Sequence, residues 1–167
     1  MARRWFLADP DFTVVRVPGA TWDEGPHRFH TEVAWNRNQE NKGWRRGKFW
    51  TEEEMKVALV LDILSGGSLI LGDHLPQINA KGDAYLKLAI EYGRGEPAIP
   101  MDLDGRRSLP CVWKNGRLLA FLNPFETALC LPVPNGVRLG KDIFTGEKNV
   151  AGPVNLAPRS TRVFELS

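Results

Sequence analysis

Charge of one sign is what this sequence has least of. Its 22 lysines and arginines stand against 20 acidic residues, a net charge of +2. So balanced a chain offers no general field for capturing nucleic acid or an anionic membrane. Cysteine is scarce as well. Cys111 and Cys130 are the two present, and they lack the close pairing of a metal site or a disulfide framework. Both are expected as small buried hydrophobes in neighbouring strands. No apolar run reaches the length that crosses a bilayer. The opening "MARRWFLADP" has no apolar signal-peptide core and goes straight into structure. Location stays open on these grounds, with the cytoplasm ahead of export.

What is present suits one good-sized domain or two small ones. The 167 residues are 43% hydrophobic and 25% charged, which is enough apolar material for a packed core. No internal repeat or low-complexity tract is visible. Tryptophan is the one type in excess, with six, and four of them (Trp22, Trp35, Trp44 and Trp50) fall in residues 19–50. That stretch, "GATWDEGPHRFHTEVAWNRNQENKGWRRGKFW", reads as a long loop. Loops of this length inside compact domains are usually functional or disordered, and its tryptophans argue against plain disorder.

Regular structure begins after the loop. Thr51 followed by Glu54 is a capping box, and three acids in the first turn suit the helix dipole. Apolar Met55, Ala58, Leu59 and the run from Leu61 to Leu64 then predict a largely buried helix, stopped by Gly66. "SLILGDH" reads as a short buried strand ending in Asp73 and His74. A second helix is predicted over residues 79–92, ending at Gly93. Beyond the Gly/Pro-rich residues 94–110 the texture changes to short strands. "VWKNGRLLAFL" predicts a hairpin turning at Asn115-Gly116, and "ALCLPVPNGVRLG", "DIFTGEK" and "STRVFEL" continue an antiparallel pattern.

The N-terminal "WFLADPDFTVVR" poses a different problem, because strand interiors welcome neither proline nor unpaired carboxylates. A strand "WFLA" ending at Asp9-Pro10-Asp11 resolves it. A helix then intervenes, and "SLILG" ends at Asp73. Strands joined through a helix are most naturally parallel neighbours, which puts both acidic clusters at carboxyl ends, the edge where α/β folds build sites.

"ADPDFTVVR" followed by "TEEEMKVALVLDILSGGSLILGDHLPQI" resembles the end of the catalytic barrel of α-galactosidase-type glycoside hydrolases, families 36 and 27, the melibiase-like enzymes. "DIFTGEK" with "LAPRSTRVFEL" is similar to the β-domain that follows such barrels. The resemblance implies an α/β plus β fold: the last two βα units of a (β/α)8 TIM-type barrel in residues 1–93, a connector at 94–110, and a small antiparallel β-domain in 111–167. It implies hydrolysis of terminal α-galactosides or similar α-linked sugars with retention, and no cofactor. Asp11 matches the acid that hydrogen-bonds the sugar, and Phe12 a side chain bordering the same pocket. Asp9 matches a turn-organising acid, and Asp73 the acid ending the eighth strand. Ala8 stands where the family carries Asn, and His74 where an acidic or small residue is common.

Retaining glycosidases need two carboxyl groups flanking the scissile bond. In the resembling families these sit on the fourth and sixth strands, which this sequence does not contain, and a full barrel needs roughly 250 residues. The nucleophile and acid/base are therefore unassigned. The chain reads as the C-terminal portion of such an enzyme, expected to be inactive alone. It would need the N-terminal barrel portion, in the same or a separate polypeptide, or self-association, to cover its strand flanks. The alternative from another class is a non-catalytic carbohydrate-binding or assembly module.

Trp44 and Trp50 interleave with Arg45, Arg46 and Lys48. Three readings are open: indole faces offered to sugar rings, tryptophans packing the loop onto its own scaffold, and stacking on nucleic acid. The balanced charge and the nearby acids argue against the last. His27 and His30 have no second ligand pair, so no metal site is expected.

Overall fold

The computed structural model describes residues 12, 13, 15, 51–73, 75, 78–103 and 107–167. Two helices lie on one face of a five-stranded antiparallel sheet, and a two-stranded sheet covers the other face. A short parallel pair sits beside the helices.

Helix α1 runs Glu52–Ser65. Its capping box forms as predicted: Glu54 N donates to Thr51 Oγ1 at 3.2 Å, and Thr51 N donates to Glu54 Oε2 at 2.9 Å. Two of the otherwise orphaned first-turn donors are thereby satisfied. The helix stops at Gly66, which is left-handed (φ 60°), and a Cβ there would come within 2.7 Å of Pro97 N. Only glycine meets both conditions without strain. Met55, Leu59, Val60, Ile63 and Leu64 are buried, but Leu61 points outward at 48% exposure. The helix is thus a broad apolar stripe rather than buried all round.

Helix α2, Ala80–Tyr92, is capped by Asn79, whose side chain accepts from Gly82 N at 2.9 Å. Its buried residues Gly82, Tyr85, Ala89 and Tyr92 recur at helical spacing. Gly82 is the point of closest approach, since a Cβ there would meet Val15 O at 2.7 Å.

Strands β1 (Phe12–Thr13) and β2 (Ile70–Leu71) pair in parallel, Phe12 opposite Ile70 and Thr13 opposite Leu71. The parallel pairing across α1 is as expected. The described pair is Phe12–Thr13 with Ile70–Leu71; the "WFLA" segment and the Asp9-Pro10-Asp11 cluster lie outside the described residues. Phe12 and Thr13, aromatic and β-branched, suit a pleated ladder.

The large sheet has the order β3-β4-β5-β9-β7, from Ile99–Pro100, Val112–Lys114, Leu118–Asn123, Ser160–Leu166 and Leu139–Asp142. Strand β3 lies inside the Gly/Pro-rich connector. It is an edge strand, the position where a proline is tolerated. The small sheet pairs β6 (Leu129–Leu131) with β8 (Val154–Leu156).

Strand β5, all six residues buried, divides the core. Leu118, Ala120 and Leu122 face Leu59, Ile63, Tyr85 and Ala89 of the helices. Leu119 and Phe121 face Leu131, Val154, Leu156 and Phe164 on the opposite side. A strand buried on both faces reads as a continuous apolar run, which is why "LLAFL" shows no alternation. Phe121 and Phe164 meet edge to face, their centroids 6.0 Å apart, an arrangement worth about 1 kcal/mol beyond burial.

The hairpin turn is shifted by one residue from its expected place. Asn115 occupies the first corner rather than the second, with Asn115 N donating to Leu118 O at 3.1 Å. Its side-chain Oδ1 accepts from Arg117 N and Leu118 N at 2.9 and 2.8 Å. The side chain, not an Asn-Gly tip, makes this turn. Cys111 is buried as expected, but Cys130 is exposed and both thiols are free. Cys130 alternates outward between Leu129 and Leu131, so it follows the period-2 pleat rather than its hydrophobicity.

Candidate functional site

The carboxyl end of the parallel pair is where the sequence places chemistry. Gly72 N donates to Thr13 O at 2.9 Å, extending the ladder by one bond. Asp73 Oδ2 then accepts from Val15 N at 2.7 Å. Thr13 and Val15 are fully buried, so that amide would otherwise be a costly orphan. The carboxylate thus closes the strand end, with Gly82 of the first turn of α2 packed against Val15 O. Asp73 acts here as a positioning acid: one oxygen is committed to the backbone of the neighbouring strand.

Of the residues the sequence singles out, Asp73 and the backbone of Phe12 fall within the described structure, and the parallel pair brings them to one short element. Asp9, Asp11, Trp44 and Trp50 lie outside the described residues, as do His27, His30 and His74. Among the described residues, no group of three or more His, Cys, Asp or Glu side chains is placed to hold a metal ion. No helix among them is long and apolar enough to cross a membrane.

Other ionic clusters tie the layers together. Glu52, in the first turn of α1, accepts from the Tyr85 hydroxyl at 2.5 Å and from Lys81, both on or near α2. Lys56 adds an ion pair to Glu52 at 3.4 Å and lies over the Tyr85 and Phe144 rings. Burial pushes the Glu52 carboxyl up, but the hydrogen bonds from Lys81 and Tyr85 and the two lysine charges together hold it below its ordinary range. The same burial, with the Glu52 hydrogen bond, pushes the Tyr85 phenol far up. This tyrosine is a fixed donor, unsuited to proton transfer near neutrality.

Asp142 organises the "DIFTGEK" turn. Its buried carboxylate accepts from Phe144 N and Thr145 N at 3.0 and 3.1 Å and pairs with Arg162 Nε at 3.0 Å. Arg162 also reaches Glu147 and lies over the Phe164 ring. These bonds account for the whole carboxylate in structural terms.

A cavity of about 500 Å³ opens beside β3 and β6, lined by Met101, Asp102, Leu103, Arg107, Pro132 and Pro134 among others. Asp102 is engaged at its wall: both oxygens accept from Cys111 N, and Oδ1 also from Val112 N at 3.1 Å. Arg107 stands 3.6 Å away. Burial first, then the Asp102 charge, push the Cys111 thiol upward, which makes it a poor nucleophile. Sequence reasoning missed this cavity, because its walls come from the connector and β6, which no local pattern joins.

No model of a known protein family matches the chain, and no curated protein matches it by sequence. Solved structures do match. α-Galactosidase I from Mortierella vinacea superposes with a TM-score of 0.52 at 14% identity, covering 70% of this chain and 36% of that one. A family 27 β-L-arabinopyranosidase from Geobacillus stearothermophilus superposes with a TM-score of 0.55 at 15% identity, covering 71% and 31%. The chain thus spans about a third of the length of these structures. At such identity the likeness is one of fold, and it is the fold similarity to melibiase-like glycoside hydrolases that the sequence motifs lead one to expect.

Proposed function

We propose that the chain is the C-terminal portion of a retaining glycoside hydrolase acting on terminal α-galactosides or similar α-linked sugars. In this reading residues 1–93 are the last two βα units of a (β/α)8 barrel, and residues 111–167 are the β-domain that buttresses it. Asp11 and Phe12 border the sugar pocket, Asp9 shapes the turn beside them, and Trp44 and Trp50 offer stacking faces from the loop. Asp73 fixes the strand end next to that pocket. The nucleophile and the acid/base are carried on strands outside this sequence.

The observation that carries the reading is the parallel pairing of β1 with β2 across α1, with Asp73 bound to Val15 N at its carboxyl end. A parallel strand–helix–strand unit that feeds a right-twisted sheet is the repeating element of a barrel. Ile70 on β2 and Leu75 just beyond it are 41% and 63% exposed, in keeping with a surface that neighbouring strands and helices would cover. The partner is thus the N-terminal barrel portion, in cis or in trans, or a second copy.

The test has two parts. Purified chain is assayed on aryl α-galactosides at high protein concentration, where no turnover is expected. It is then titrated with galactose while tryptophan fluorescence and association state are followed. Saturable quenching by galactosides, with self-association or capture of the N-terminal barrel portion, supports the reading. A monomer that melts sharply and does not respond to any galactoside overturns it.

A further inference from the structure

The sequence contains two Asn-Gly pairs, Asn115-Gly116 and Asn135-Gly136, and the fold treats them oppositely. Asn-Gly is the dipeptide most prone to intramolecular attack, because glycine leaves its amide nitrogen unhindered. The Gly nitrogen attacks the Asn side-chain carbonyl, the N–Cγ bond forms, and the side-chain amide leaves as ammonia. The resulting five-membered imide is opened by one water at either carbonyl, giving aspartate or isoaspartate. The reaction needs an Asn side chain free to rotate over the next amide, and solvent to remove its proton.

Asn115 is denied that freedom. It is 8% exposed, its Oδ1 holds two backbone amides, and its Nδ2 donates to Glu96 O at 3.2 Å. Rotation would break three hydrogen bonds at a buried turn, each of which leaves a polar group unpaired. Asn135 is exposed, and among the described residues its side chain has no hydrogen-bond partner. It sits in the tight turn Pro134–Val137, closed by Val137 N donating to Pro134 O at 3.2 Å. Gly136 has φ 77°, with open space around the position a Cβ would take.

We propose that Asn135 is a site of spontaneous deamidation and isoaspartate formation, with Asn115 as its protected counterpart. Conversion places a carboxylate on the β6–β7 connection, immediately after Pro134 of the cavity wall. The isoaspartyl form also adds one methylene to the main chain there. The inference is independent of any sugar chemistry.

The full chain is incubated in mildly alkaline buffer, folded and in concentrated urea, and its peptides are mapped by mass spectrometry with detection of isoaspartyl carboxyls. In the folded chain the Asn135 peptide is expected to convert at least ~10-fold faster than the Asn115 peptide, the factor set by an opening free energy of ~1.4 kcal/mol. In urea both convert at similar rates. Asn135→Gln removes the folded-state product and leaves the slow Asn115 product unchanged. Equal rates at the two sites in the folded chain overturn the proposal. So does an unreactive Asn135 in the folded chain when the urea control reacts.

Discussion

Arg159 and Glu54 are 105 positions apart in sequence, and the Arg159 guanidinium donates to Glu54 Oε1 at 2.5 Å. The same carboxylate receives Thr51 N in the α1 capping box, and the same guanidinium binds Glu126. The start of α1 is therefore fastened to the turn that precedes β9. The Thr51 backbone bond, then Arg159, hold the Glu54 carboxyl below its ordinary range against a smaller opposing effect of burial. A carboxyl depressed in the folded state contributes stability above its unfolded pKa of about 4.3, and that contribution is lost as pH falls through the lower folded value. Urea denaturation across this window is expected to show stability falling on acidification. Glu54→Gln, which keeps a capping-box side chain but not the charge, should flatten that fall. Thr51→Ala should cost about 1 kcal/mol at neutral pH.

The chain has two tyrosines, and both donate to carboxylates: Tyr85 to Glu52 and Tyr92 to Glu165, each at 2.5 Å. Burial first, then the carboxylate partner, raise both phenols far above their ordinary value. Their folded pKa values exceed the unfolded value of about 10, so this contribution is complete below pH ~10 and lost as pH rises beyond it. Ultraviolet titration should therefore show no tyrosinate until the protein unfolds, and then both ionisations together. Tyrosinate appearing near pH ~10 with circular dichroism unchanged would contradict these hydrogen bonds. Tyr85→Phe keeps the edge contact with Phe144 and should cost about 1.5 kcal/mol, the scale of a hydrogen bond to a charged group.

Burial on both faces makes β5 the strand whose truncation should hurt most. Phe121 is fully buried and packs against Phe164 between the two sheets. Phe121→Ala is expected to cost about 3–5 kcal/mol by chemical denaturation, from lost transfer energy and the cavity left behind. Leu61→Ala in α1 removes an apolar side chain of similar hydrophobicity from a position 48% exposed, and should stay within about 0.5 kcal/mol. Similar losses at the two positions would mean that β5 is not the central layer.

These contrasts mark what the sequence could disclose. Local chemistry was legible: Thr51 with Glu54 located α1, Gly66 its end, and Asn79 with Gly93 bracketed α2, because caps depend on residues within one turn. Strand β3 was hidden, since two residues with a proline in a Gly/Pro-rich connector carry no periodicity, and the three residues "VNL" of β8 add little more. The outward Cys130 and Leu61 were misjudged because hydrophobicity was weighed ahead of the pleat and the helical period. The Glu52–Tyr85 and Glu54–Arg159 contacts join distant segments, and nothing local announces such partners. At the candidate site, Asp73 was legible as a strand-ending acid. Its partner, Val15 N, was not, because that depends on which strand pairs with β2.

That bond gives Asp73 a consequence separable from any sugar chemistry. Asp73→Ala leaves Val15 N buried without its acceptor, a loss of about 1–3 kcal/mol. Asp73→Asn retains an amide oxygen able to accept the same N–H, so it should keep most of the stability and the circular dichroism spectrum. If Asp73 serves the proposed sugar pocket by fixing the strand end, Asp73→Asn should also leave galactoside-induced tryptophan quenching nearly intact, while Asp73→Ala weakens it together with the melting temperature. A well-folded Asp73→Asn chain that no longer responds to galactosides would instead make the charge itself part of sugar recognition. The two substitutions, each measured by thermal melting and by fluorescence titration, thus distinguish an acid that holds the strand from one that holds the sugar.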